Sequence, residues 1–286
     1  MKQRFITGLI LTAVLAVMLW LPGWCMAIAV LVCISFAVHE MMAALKKAGH
    51  RLVTWPTWAA MILSIPAAHF MGDKAMIPLV GAALLAMTVQ VMFRSEPNLT
   101  DLTMSTLPLA TVALPGLALV TLSMIDPYIW HVKTNPEPWH AVEVVLLTIT
   151  FAVPLVGDIA ALFTGKAFGK RKFCPAVSPK KTVEGRIGGL AGSMAAAMLV
   201  YLLSRVLCNE ATLRYLPVWW QYLLLGLIGG FAGQMGDLFA SLVKRHCGLK
   251  DYSNLFPGHG GMLDRLDSVL FMAVLMYCFR MFFLPF

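Results

Sequence analysis

Nine stretches of this chain are apolar enough, and long enough, to cross about 30 Å of hydrocarbon as α-helices. They run over residues 5–21, 24–45, 55–71, 75–93, 104–125, 141–164, 187–208, 218–241 and 265–284. Inside a bilayer every backbone N–H and C=O must find a partner within the protein, so segments of this length become helices. The expected class is therefore all-α: a polytopic integral membrane protein of about nine transmembrane helices. Composition agrees, with 59% hydrophobic residues against roughly 45–50% in soluble domains. The third stretch, interrupted by Pro66 and His69, is the least regular. The basic, apolar start resembles a signal peptide, but no small-x-small cleavage site follows, and it is read as a retained anchor helix.

A net charge of +8 would suit a nucleic-acid binder, but the position of the charge points elsewhere. With the N-terminus in the cytoplasm, 17 of the 22 Lys and Arg residues fall on cytoplasmic segments. Lys74, Lys133, Arg205, Arg214 and Arg280 lie on or near the other side. This is the positive-inside bias of a membrane protein, and it places the C-terminus outside; no nucleic-acid partner is expected. Six cysteines without a close pair indicate neither a zinc site nor a disulfide framework.

The whole chain, 1–286, reads as one membrane domain, with N-terminal helices over 1–140 and chemistry-bearing helices over 141–286. In the first part, Trp55, Trp58, Trp130 and Trp139 read as interface anchors. His39 and Glu40, close to Lys46 and Lys47, read as an interfacial pair rather than a proton relay. Pro108, Pro115 and Pro154 are expected to kink or locally break their helices.

Polar chemistry concentrates in two places. From Ser241 to Asp267, seven of 27 residues are charged: Lys244, Arg245, Lys250, Asp251, Asp264, Arg265 and Asp267. A solvated loop would account for the charge but not for Gly258, Gly260 and Gly261 around His259. Backbone without Cβ can approach a phosphate closely. Asp264 and Asp267, three apart, share a face if a helix starts there, and such carboxylates suit a hard cation like Mg2+.

The second place opens at Asp158, whose carboxylate inside the membrane needs a partner or a wet cavity. Pairing with Lys166 or Lys170 at the helix end is one explanation, and a phosphate site is the other. Gly165 to Lys170 is one residue short of a P-loop, and Arg171 stands where a hydroxyl is required. Lys166, Lys170, Arg171, Lys172, Lys180 and Lys181 form a basic loop that anionic lipid headgroups alone would attract. The order Ser178-Pro179-Lys180-Lys181-Thr182, then Glu184-Gly185, is not that of a simple polybasic run. Beyond it, Gly188 with Gly192, Gly226 with Gly230 and Gly229 with Gly233 predict close helix packing.

Both places resemble the phosphatidate cytidylyltransferases, or CDP-diacylglycerol synthases. The family signature of Ser, Lys-Arg, Lys-Asp, Pro-x-His-Gly-Gly and Asp-Arg-aliphatic-Asp is filled by Ser241, Lys244, Arg245, Lys250, Asp251, Pro257, His259, Gly260, Gly261, Asp264, Arg265 and Asp267. The upstream motif is matched at Asp158, Ala161, Gly165, Lys166, Phe168, Gly169, Lys170, Ser178, Pro179, Lys181, Thr182 and Gly185, with departures at Ile159 and Leu162.

The resemblance implies transfer of the cytidylyl group of CTP to phosphatidate, giving CDP-diacylglycerol and pyrophosphate. It implies a site at the cytoplasmic boundary of the cell membrane, in contact with membrane lipids. On that basis Asp237, Asp264 and Asp267 are the expected Mg2+ ligands, a second cation being left open, and they act with Lys244 and Arg245 in catalysis. Asp158, Lys166, Lys170, Ser178, Lys180, Lys181, Thr182, Gly260, Gly261 and Arg265 are the expected substrate-binding residues. His259 belongs with them, either fixed by hydrogen bonds or touching pyrophosphate. A homodimer is left open. A transporter would gather its charge near the midplane in symmetric halves, and a lipid-binding scaffold would have no use for the four aspartates.

Overall fold

The computed structural model describes residues 23–123, 137–256, 258 and 260–283. Among these, six helices are long and apolar enough to cross a membrane: Trp24–Lys47, Leu99–Leu122, Val142–Phe168, Val183–Leu207, Trp219–His246 and Leu263–Phe283. The architecture is that of an all-α polytopic membrane protein. The first predicted span lies outside the described residues. The third and fourth form helices of 17 residues each, Trp55–Met71 and Met76–Met92, so a count of nine is not reached among the described residues. The chain falls into two compact units, Met1–Pro127 with Val243–Leu266, and Tyr128–Leu242 with Asp267–Phe286.

The first unit contains α1 (Gly23–Lys47), α2 (Trp55–Met71), α3 (Met76–Met92), α4 (Leu99–Leu122) and Val243–Leu266 of the signature stretch. Its core is aliphatic and sulfur-rich: Ile34, Met41, Leu45, Met61, Met87, Leu109, Leu117 and Leu119 are all fully buried. Helix α4 begins at a cap, with the Asn98 side chain accepting from Thr100 N. Its first-turn Asp101 accepts from Arg51 N at 3.2 Å and from Arg94 Nη1 at 3.1 Å, which binds the loops leaving α1 and α3 to its start.

The expected break falls in α4. Leu109–Ala113 is π-helical, and Leu114 N donates to the Leu109 carbonyl five residues back. Pro108 and Pro115 on either side have no N–H to donate to the carbonyls of Met104 and Thr111, and the widened turn lies between these two interruptions of the ordinary ladder.

The second unit is built on α5 (Glu137–Phe168), α6 (Val183–Leu207), most of α7 (Trp219–His246) and most of α8 (Leu263–Phe283). Small residues let these helices touch. A Cβ on Gly226 would come within 2.7 Å of Met194 Cα, and one on Gly230 within 2.6 Å of the Ser193 side chain. Between α5 and α6, Gly192 faces Ala160 and Gly188 faces Thr164, while Ser193 Oγ donates to the Val153 carbonyl at 3.0 Å.

The basic segment is more ordered than the loop read from the sequence. Helix α5 runs on to Phe168, and then β1 (Lys172–Cys174) pairs antiparallel with β2 (Ser178–Thr182). Two devices hold this hairpin to α6. Thr182 caps the helix by accepting from Gly185 N at 3.2 Å, and Glu184 accepts from the backbone N–H of Lys170 and Arg171.

Candidate active site

In the second unit the polar groups cluster where β2, α5, α6, α7 and α8 supply one or two side chains each. Lys181 on β2 donates Nζ to Asp237 Oδ2 on α7. Asp158 on α5 accepts from Ser268 Oγ at 3.2 Å and lies within electrostatic reach of Asp237, Lys181 and Arg186. The alternative of an Asp158 ion pair with Lys166 or Lys170 is not what forms. Asp267 Oδ1 accepts from Ser268 N at 2.7 Å, and Gly236 abuts the Asp267 carbonyl so closely that no Cβ fits between α7 and α8.

Arg186, in the first turn of α6, is, with Ser268, a residue of this cluster that the sequence did not single out. It is 7% exposed. Its Nη1 donates to the Gln234 carbonyl at 3.2 Å, Gln234 Nε2 returns a bond to the Arg186 carbonyl at 3.0 Å, and the guanidinium lies over the Phe173 ring. Nε and Nη2 have no hydrogen-bond partner among the described residues. A buried cation near Asp158 and Asp237 would have been legible had Arg186 been counted as helical rather than as part of the loop. Lys166, Lys170 and Lys180 are exposed, Ser178 is half-buried, and the Thr182 hydroxyl is committed to its cap.

In the first unit the signature folds around two carboxylates. Lys244, in the last turn of α7, is 9% exposed and places Nζ 2.6 Å from Asp264 Oδ1 and 5.5 Å from the centre of the Tyr252 ring. Asp264 Oδ2 accepts from Tyr252 N and Gly261 N, each at 2.9 Å. Gly260 has φ +84°, and a Cβ there would stand 2.8 Å from Asp264 Oδ2. Here the glycine is required twice, by the left-handed backbone and by the carboxylate beside it. Phe256 N donates to the Gly260 carbonyl at 2.9 Å and closes the loop.

The second carboxylate is Glu40, read from the sequence as interfacial. It is 6% exposed. Oε1 accepts from Ser253 Oγ at 2.6 Å and from Met262 N at 2.9 Å, and Oε2 accepts from Leu263 N at 2.8 Å. The one available signal was that no other acidic residue precedes Asp73. Arg245, Lys250, Asp251 and Arg265 are exposed, with Arg245 Nη1 donating to the Leu249 carbonyl at 3.1 Å. Burial pushes the Cys247 thiol above its ordinary value, so it stays protonated near neutral pH. Pro257 and His259 lie outside the described residues.

Hard oxygen donors of this kind fit Mg2+, which takes one or two protein carboxylates and keeps water and substrate phosphate for its other positions. Among the described residues no three His, Cys, Asp or Glu side chains form a closed cage. Asp237 presently holds an ammonium, itself a cation. Asp264 has three of its roughly four lone pairs engaged.

The model of the cytidylyltransferase family matches residues 2–283. The chain belongs to that family. Among its relatives, a phosphatidate cytidylyltransferase of Brucella suis is 31% identical over 98% of this chain and 93% of its own length. That of Bacillus subtilis is 30% identical over 97% and 96%, and that of Synechocystis 30% over 99% and 97%. The Escherichia coli protein YnbB, described as uncharacterized, is 41% identical over 134 residues, 47% of this chain. This cytidylyltransferase thus shares its whole length with enzymes named for phosphatidate.

Proposed function

We propose that this cytidylyltransferase joins CTP to phosphatidate, giving CDP-diacylglycerol and pyrophosphate for phospholipid synthesis. The observation that carries the reading is end-to-end similarity to phosphatidate cytidylyltransferases. Cytosolic CTP and a lipid arriving sideways from the bilayer favour a site at the cytoplasmic boundary.

The lipid phosphate is anionic near neutral pH, so its oxygen is already a nucleophile and no general base is needed. That oxygen attacks the α-phosphorus of CTP, and a P–O bond forms. The bond from the α-phosphorus to the oxygen bridging to the β-phosphate breaks, and its electron pair leaves with pyrophosphate. Repulsion between two polyanions is the obstacle, and cationic side chains aimed at the phosphates reduce it. Lys181 and Lys244 are each held by an aspartate, and so are fixed in direction before substrate arrives. Exposed Lys180, Arg245 and Arg265 add attraction for the phosphates. Within the second unit Asp237 and Asp267 are the proposed Mg2+ ligands, Asp264 being engaged by Lys244 and two backbone N–H groups in the first unit; a cation bound there would supply charge neutralisation on the transferring and leaving groups.

Purified protein given CTP, Mg2+ and phosphatidate should release one pyrophosphate per CDP-diacylglycerol formed. CTP consumption with another phosphate monoester but none with phosphatidate would overturn the acceptor. No CTP consumption with any acceptor would overturn the reading.

A further inference from the structure

We infer that Glu40 is a positioning residue of the nucleotide site, resting on the CTP reading above. Its carboxylate, carried by α1, builds the glycine loop and the start of α8. Four backbone donors of this loop, on Tyr252, Gly261, Met262 and Leu263, are taken by only two side chains, Asp264 and Glu40. The two divide the loop between them. Asp264 binds it from within, and Glu40 grips it from α1, some 220 residues away in sequence.

The first N–H groups of a helix have no carbonyl of their own to bond, and an anion at that end is favoured. Leu263 N is the first such group of α8, and it is bonded by Glu40 Oε2. Charge-assisted bonds to a buried carboxylate are stronger than neutral ones, and among the described residues no cation competes for this one. Gly261 fits the arrangement, because a Cβ there would collide with the Glu40 carboxylate. The last glycine of the Pro-x-His-Gly-Gly motif is therefore required by a residue outside the motif.

The consequence concerns Asp264 and Lys244. Gly261 N is one of the two backbone donors that orient Asp264 Oδ2, and Lys244 is aimed by Asp264 Oδ1. Residues 261–263 thus link Glu40 to the cation that faces phosphate, so Glu40 acts on CTP through them without touching it.

Glu40→Gln keeps the size but turns an N–H2 toward one of the donors the carboxylate accepts. Its effects should be local. The KM for CTP should rise about tenfold with a smaller change in kcat, the mark of lost uniform binding, while the KM for phosphatidate stays within about twofold. Ser253→Ala, which removes one of the three bonds, should fall between Glu40→Gln and wild type. The second measurement is backbone amide exchange over residues 252–264 with and without CTP and Mg2+. CTP should slow exchange there in wild type and fail to do so in Glu40→Gln, with exchange in α5 and α6 unchanged. Equal CTP protection in both proteins, faster exchange throughout the molecule, or a CTP KM unchanged by Glu40→Gln would overturn the inference. So would an absence of CTP protection in wild type. If wild type ignores phosphatidate yet CTP protects the loop only when Glu40 is present, the acceptor is wrong and the role of Glu40 stands.

Discussion

Lys244 Nζ lies 2.6 Å from Asp264 Oδ1, with the carboxylate side chain 3% and the lysine side chain 11% exposed. A buried pair of this kind is costly to break from one side, since the partner keeps its charge without compensation. Lys244→Met should therefore remove a cation proposed to face phosphate and leave the Asp264 side chain with only its two backbone N–H partners. Its kcat/KM for CTP should fall by about two orders of magnitude, as for the loss of one preorganised electrostatic contact. Exposed Lys250→Met should change it less than about threefold. Comparable losses in the two variants, measured side by side, would remove the special place given to Lys244.

Arg186 yields a prediction about stability. The guanidinium is buried and its charge balances Asp158 and Asp237. Arg186→Met should leave those carboxylates undercompensated and cost about 3 kcal/mol, read as a lower unfolding midpoint in detergent. Arg186→Lys should recover part of this, because the ammonium restores charge but not the planar fork bonded to Gln234 and stacked on Phe173. Full stability of Arg186→Met would mean that the two carboxylates have no need of this cation.

How far the fold was legible depended on whether its causes are local. Long apolar runs announce helices by themselves, and the signature announces its family through spacing within 27 residues. The β hairpin did not announce itself, because Pro179 sits inside β2 and proline argues against a strand. Its polar, basic composition also reads as a loop. Glu40 was illegible for a different reason. Its partners Ser253, Met262 and Leu263 are more than 200 residues distant, and no period or spacing connects them. The aspartates could be found as a set, but not which of their oxygens would be taken by lysine or backbone.

Topology can be checked independently of chemistry. With 17 of 22 basic residues assigned to one side, reporter fusions after residues 46, 172 and 250 should report cytoplasm, and fusions after 74 and 212 the opposite side. A periplasmic-type signal after residue 172 would invert the orientation proposed for the site.

The contact between Lys181 and Asp237 makes the sharpest test of metal ligation, because an ammonium and a divalent cation compete for the same carboxylate. Lys181→Met removes the competitor without touching the ligand. Mn2+, a spectroscopically visible substitute for Mg2+, should then bind the nucleotide-free protein several-fold more tightly than wild type, while turnover falls by about two orders of magnitude for want of the phosphate-facing cation. Asp237→Asn keeps the size and a hydrogen-bonding oxygen but loses the anion a hard cation requires. It should abolish the tightened Mn2+ binding in the Lys181→Met background and fall at least as far in turnover. Asp251→Asn, at an exposed position, is the control and should alter neither measurement by more than about twofold. The two readouts separate charge from ligation. A generic loss of charge would depress turnover in both variants without opposite effects on Mn2+ binding, and unchanged Mn2+ affinity in Lys181→Met would remove Asp237 from the proposed ligand set.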